Sequence, residues 1–127
     1  MADSTGYSGY VKIARNSAAG SDTPNVQVKY AAIDAATNGD NTIVAAVAGK
    51  KIRVLSVFYL AAGTVNVRFE SAAGGTALTG QMQHTAQTGA VLNFNEDGWF
   101  ETVSGELLNM ELSAGVSVDG SLSYIEV

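Results

Sequence analysis

The chain has 127 residues, seven Lys+Arg against twelve Asp+Glu, one His and no Cys, for a formal charge of −5. Without Cys there are no disulfides, thiolate metal sites or cysteine nucleophiles, and seven scattered cations offer no track for a phosphate backbone, which argues against nucleic-acid binding. Charged residues make up only 15%, against roughly 25% in an average globular chain, which points to one domain that hides extra surface in an assembly.

The N-terminal stretch Met1-Ala2-Asp3-Ser4-Thr5-Gly6 has neither the basic nor the apolar region of a secretory leader. No apolar run approaches the ~20 residues of a membrane helix, so synthesis and use in a cytosol, with no membrane partner, is the expectation. Residues 1–25 are rich in Ser, Gly, Asn, Asp and Thr, interrupted by Tyr7, Tyr10, Val11 and Ile13. That segment has too little apolar area to offset its own ordering and reads as an extended arm that orders on a partner, with Tyr7, Tyr10, Lys12 and Arg15 as anchors.

From residue 26 to residue 127 the pattern is that of a β domain. Strands are expected at 26–33, 42–48 and 51–60, the last apolar on both faces and therefore covered on both, by a second sheet or by a neighbouring subunit. In 64–70, Val65, Val67 and Phe69 alternate with Asn66, Arg68 and Glu70, the period of two of a half-buried strand. Weaker or shorter runs follow at 78–83, 90–95 and 99–103, then 106–112, where Leu108, Met110 and Leu112 share a face, and finally 116–118 and 122–127. Turn residues separate them at Asn38-Gly39-Asp40-Asn41, Gly49-Lys50, Ala62-Gly63, Gly74-Gly75, Thr88-Gly89, Asp97-Gly98, Ser104-Gly105, Ala114-Gly115 and Asp119-Gly120. Eight or nine short strands at this spacing predict an all-β, antiparallel, jelly-roll-like sandwich, preceded by the arm.

The chemistry-bearing residues do not assemble into a known catalytic pattern. His84 is the sole imidazole, lies in the polar stretch Gln83-His84-Thr85 and lacks a nucleophile elbow, so it reads as a surface residue. One His with no Cys does not supply a usual zinc ligand set. Glu96, Glu101, Glu106 and Glu111 read as a solvated rim; Glu106 and Glu111, five apart on one strand, point to opposite faces and do not make a glycosidase pair. Asp34, Asn38, Asp40 and Asn41 lack the closing glutamate of a calcium loop, and residues 74–80 lack the Lys-Ser/Thr ending of a phosphate loop. Of Trp99 and Phe100, adjacent on a strand, one ring is expected inward and one outward. The expectation is a protein that is not an enzyme and uses no cofactor or metal.

The stretches Val47-Ala48-Gly49-Lys50-Lys51-Ile52-Arg53-Val54-Leu55-Ser56, Phe69-Glu70-Ser71-Ala72-Ala73-Gly74-Gly75-Thr76-Ala77-Leu78-Thr79-Gly80, Gly98-Trp99-Phe100-Glu101-Thr102 and Leu122-Ser123-Tyr124-Ile125-Glu126-Val127 resemble the β-sandwich module of tailed-bacteriophage virion proteins, above all capsid decoration (cement) proteins. The resemblance spans roughly residues 42–127. It implies a structural virion protein, assembled in the host cytoplasm, that forms a homotrimer and binds the phage major capsid protein on the capsid exterior. It also implies that the arm lies along the lattice through Tyr7, Tyr10, Lys12 and Arg15, and that the strand at 51–60 meets a neighbouring subunit through Arg53, Leu55, Val57 and Tyr59. The alternatives are a receptor- or carbohydrate-binding head-fibre or tail module, and a small cupin-like metalloenzyme.

Overall fold

A computed structural model describes residues 10–12 and 25–127, with side chains described from residue 26 onward. Its strands are β1 (Tyr10–Lys12), β2 (Asn25–Gln27), β3 (Lys29–Ala35), β4 (Gly39–Val44), β5 (Ile52–Ala61), β6 (Val65–Ser71), β7 (Thr76–Ala77), β8 (Met82–His84), β9 (Thr88–Leu92), β10 (Phe100–Glu101), β11 (Leu108–Leu112) and β12 (Val118–Glu126). The described residues contain no helix.

One sheet has the order β10-β5-β12-β3, with β9 also on β5; the other has the order β4-β11-β6-β7, with β8 also on β6. Every pairing is antiparallel. From β3 onward the chain changes sheets repeatedly: β3 first, β4 second, β5 first, β6 to β8 second, β9 and β10 first, β11 second, β12 first. That interleaving is the jelly roll the sequence pattern predicts. There are ten strands in the two sheets instead of eight or nine, because one edge position in each sheet is filled by two short strands. Separately, β1 pairs with β2 as a ribbon, Val11 opposite Val26.

The inward residues follow the alternation already visible in the sequence: Val65, Val67 and Phe69 from β6 lie beside Leu108, Met110 and Leu112 from β11 on the inner face of the second sheet, opposite Ile33, Val57, Tyr59 and Leu122 of the first. Phe69 is at the centre, with its ring 5.1 Å from that of Phe100 and 6.3 Å from that of Tyr59.

Two expected turns are strand instead. Asp119-Gly120 lies within the nine-residue β12, and Thr88-Gly89 opens β9. Each glycine sits where the paired strand comes too close for a side chain: a Cβ on Gly120 would collide with the Phe58 carbonyl, and one on Gly89 with the Tyr59 carbonyl. Glycine here permits tight backbone approach rather than a reversal. The expected turn at 38–41 is likewise displaced, since Gly39, at φ +96°, already opens β4.

Phe69 also lines an apolar cavity of about 70 Å³ shared with Val57, Tyr59, Met82, Leu92 and Phe100. Truncation there enlarges an existing void that rigid strands cannot collapse into. Phe69→Ala is expected to cost about 3–5 kcal/mol, at the upper end for core truncations, measured as the shift in urea unfolding free energy.

Candidate functional site

Register fixes what the first sheet shows to solvent. One row across four strands reads Ala32, Ser121, Phe58, Val91; the rows on either side read Tyr30, Ser123, Ser56 and Asp34, Asp119, Leu60, Gly89. Within them Phe58 is 56% exposed, Leu60 48%, Val91 71% and Tyr30 74%. Four large apolar or aromatic side chains thus stand among small residues on one outer face, the kind of patch that marks an interaction surface.

This face differs from the one inferred from the sequence. Of the expected contacts with a neighbouring subunit, Arg53, Leu55, Val57 and Tyr59, the last three are already buried within the single chain. Val57 and Tyr59 point into the main core; Leu55 is fully buried in a second small cluster with Val28 and Ile125, capped by Val26 and Val127 of the same chain. Arg53 is half-buried, with its Nε donating to Glu101 Oε1 at 2.7 Å. The physical reason is a β-bulge. On β12, Ser123 opposes Ser56 but Tyr124 opposes Val54, so Leu55 is an extra residue and the alternation of β5 changes phase there. Before the bulge Ile52 and Val54 point inward; after it Val57, Tyr59 and Ala61 do, and Phe58 and Leu60 are turned out. Of the expected arm contacts, Tyr7 and Arg15 lie outside the described residues, as do the side chains of Tyr10 and Lys12, whose backbone forms β1.

The opposite outer face is polar and internally satisfied. Arg68 donates through Nε and Nη2 to Glu70 Oε2 at 3.0 and 2.5 Å, and through Nη2 to Glu111 Oε1 at 2.6 Å. Asn109 Nδ2 donates to Glu70 Oε1 and to Asp40 Oδ1, each at 2.9 Å, while the Gly74 N–H donates to Asp40 at 3.1 Å. Among the described residues no buried side-chain polar atom lacks a partner. Glu70, only 1% exposed, is thereby held charged: burial pushes its carboxyl up, but the hydrogen bonds from Arg68 and Asn109 outweigh this and leave it below the ordinary carboxylate value. Glu111 moves the other way, raised by the hydrogen bond it shares with Glu70, by burial and by the Glu70 charge, against the pull of Arg68.

His84 is half-buried rather than a free surface residue. Its Nε2 lies 2.9 Å from the Tyr59 hydroxyl and its ring meets that of Tyr59 edge-on at 5.3 Å, tying β8 of one sheet to β5 of the other. Thr88 Oγ1, which donates to the Thr85 carbonyl at 2.8 Å, lies 3.4 Å from His84 Nδ1, and the Tyr59 hydroxyl is also 3.4 Å from Met82 Sδ. Burial pushes the Tyr59 phenol up to about 12. Glu101 clamps Lys51 and Arg53, and Glu106 accepts from the Ser71 hydroxyl at 2.6 Å, so neither joins another carboxylate across a cleft. Among the described residues no group of three or more His, Asp or Glu is placed to hold a metal ion. Phe100 points inward onto Phe69, whereas Trp99 is exposed, its indole N–H fixed on the Asn93 carbonyl at 2.8 Å; the inward–outward division of these two rings follows the sequence pattern. The chain matches no family profile, no curated protein and no solved structure.

Two titration experiments test these assignments. Glu70 is stabilising when charged, and that contribution is present above the ordinary carboxylate range and lost as pH falls through its lowered pKa; Glu111 is disfavoured when charged, so its contribution is lost as pH rises through its raised pKa. Glu70→Gln should therefore cost about 1–3 kcal/mol at pH 7, while Glu111→Gln costs nothing or gains slightly, as read from urea midpoints against pH. For Tyr59, the raised pKa means stability held below pH 10 and lost as pH rises toward 12. Tyr59→Phe should lose about 1 kcal/mol at pH 7, from the missing hydrogen bond, and should show a shallower alkaline decline.

Proposed function

We propose that this chain is a structural virion protein of a tailed bacteriophage that assembles into an oligomer, a trimer under the family resemblance, and binds the outside of the capsid to hold the lattice together. The observation that carries the reading is the exposed apolar face on β3, β12, β5 and β9 of a chain with so few charges. A lone soluble domain gains nothing from presenting Phe58, Leu60, Val91 and Tyr30 to water, whereas a subunit that is covered in its working state gains burial of each. The jelly roll supports the reading as a rigid, edge-managed building block, and the resemblance of residues 42–127 supports the phage assignment.

The mechanism is mass action. A protein that binds only the assembled lattice stabilises it by RT ln(1 + [L]/Kd), about 2.7 kcal/mol per site at ~100 Kd. Several attachment points acting through one oligomer multiply that attachment without any covalent step. The N-terminal segment is the proposed lattice-following element, through Tyr7, Tyr10, Lys12 and Arg15.

A carbohydrate-binding role is the second reading, favoured by the exposed Trp99 with its indole held in a fixed orientation. A glycan array separates the two: specific sugar binding abolished by Trp99→Ala favours the second, and no binding leaves the first.

The direct test is co-sedimentation of the purified chain with expanded capsids of its phage. Saturable binding, a raised capsid melting temperature, and at least a tenfold weaker affinity after deletion of residues 1–20 with the oligomer intact are expected. Unchanged affinity after the deletion contradicts the role of the arm, and no binding at all contradicts the proposal.

A further inference from the structure

We infer that copies of this chain meet through the outer face of the β3–β12–β5–β9 sheet, with Phe58 and Val91 at the centre of the contact. The inference rests on the oligomer required by the proposed function and specifies the surface that makes it.

Two observations select a second copy as the occupant. The first is the distribution of charge. In a symmetric assembly, residues near the axis meet their own copies, so a charge there meets a charge of its own sign. The rows Ala32–Ser121–Phe58–Val91 and Tyr30–Ser123–Ser56 carry none. The other outer face, by contrast, places Asp40, Arg68, Glu70 and Glu111 together. A face whose centre is free of charge over two rows, with rings and a β-branched side chain to interlock, is self-compatible in a way the polar face is not.

The second is an imbalance at the margin. Asp34 and Asp119 are direct cross-strand partners, both exposed; Ser117 Oγ donates to Asp119 Oδ2 at 2.9 Å, and among the described residues neither carboxylate forms an ion pair. Like charges opposite one another on a sheet are destabilising unless a cation is brought to them. Among the described residues, Lys50 is the Lys or Arg without a carboxylate partner: Lys29 pairs with Glu126, Lys51 and Arg53 with Glu101, and Arg68 with Glu70 and Glu111. Lys50 lies two residues before β5, whereas Asp119 opposes Leu60 near the other end of that strand, about 30 Å away at ~3.3 Å per residue. Lys50 thus does not serve its own acidic row; two copies packed on this face with their β5 strands antiparallel would place the Lys50 end of one over the Asp119 end of the other.

The experiment is light-scattering mass and sedimentation velocity of the full chain, alongside Phe58→Glu, Val91→Arg and the control Gln83→Glu on the other sheet's outer face. Capsid co-sedimentation and circular dichroism are run in parallel. The wild type and Gln83→Glu are expected to sediment as a multiple of 13.1 kDa. Phe58→Glu and Val91→Arg, both at exposed positions, are expected to keep the fold and to weaken self-association at least about 30-fold, the loss at an interface hot spot. A wild-type oligomer that both variants leave unchanged overturns the inference while the capsid-binding proposal stands. Variants that keep the oligomer but lose capsid binding assign the face to the capsid protein and also overturn it. A wild type that stays at 13.1 kDa at every concentration overturns it outright.

Discussion

The placement of the extra residue Leu55 in β5 governs most of what this molecule presents. β5 is the central long strand of its sheet, paired with β12 on one side and with β9 and β10 on the other. Because side chains alternate with a period of two, one inserted residue exchanges the inner and outer sets for everything beyond it. The bulge keeps Ile52 and Val54 in the core at one end and Val57, Tyr59 and Ala61 at the other, and in doing so turns Phe58 and Leu60 outward. Leu55 itself is not wasted, since it fills the small outer cluster with Val28 and Ile125 under Val26 and Val127. The same strand thus serves three environments: core, covered outer cluster and open apolar face.

The two outer faces solve opposite problems. On the β4–β11–β6 side, three carboxylates are gathered around one guanidinium and one amide. Each accepts at least one hydrogen bond within the chain, and Glu70 is kept ionised in near-complete burial by direct hydrogen bonds that outweigh its desolvation. Such a face meets its charges largely within the chain. On the β3–β12–β5–β9 side the exposed groups are Phe58, Leu60, Val91 and Tyr30, and the carboxylates of Asp34 and Asp119 face each other across two strands. The contrast lies within one molecule, so it does not depend on any average property of protein surfaces.

Much of the fold was legible in the sequence because its signals are local. Val65-Asn66-Val67-Arg68-Phe69 and Leu108-Asn109-Met110-Glu111-Leu112 declare their faces by alternation alone, and positive φ at Gly49, Gly74, Gly98 and Gly105 matches the turns read there. What was not legible depends on partners distant in sequence. Asp119-Gly120 carries turn chemistry, yet it runs straight because Gly120 lets β12 approach the Phe58 carbonyl closely. The run of apolar residues in β5 shows that both faces are covered or sticky, but not where the phase changes; a bulge is set by register against β12, which no local pattern contains. Ser56, polar and one residue beyond Leu55, was the available hint that the outward set had moved to even numbers. In the sequence His84 looks like a surface residue because its partner Tyr59 is 25 positions away.

What distinguishes the two outer faces is how far each is completed within the chain: one is closed by internal hydrogen bonds, the other leaves Phe58, Leu60, Val91 and Tyr30 exposed. The proposed attachment to a capsid lattice is a separate matter from the proposed contact between copies, and the two are separable in experiment. Cross-saturation NMR between a deuterated, nitrogen-15-labelled copy and a protonated copy reads the contact residue by residue. The account predicts attenuation of the amides of residues 30–32, 57–61, 89–92 and 119–123. Attenuation confined instead to residues 66–70 and 109–111, on the face closed by Arg68 and Glu70, would contradict it.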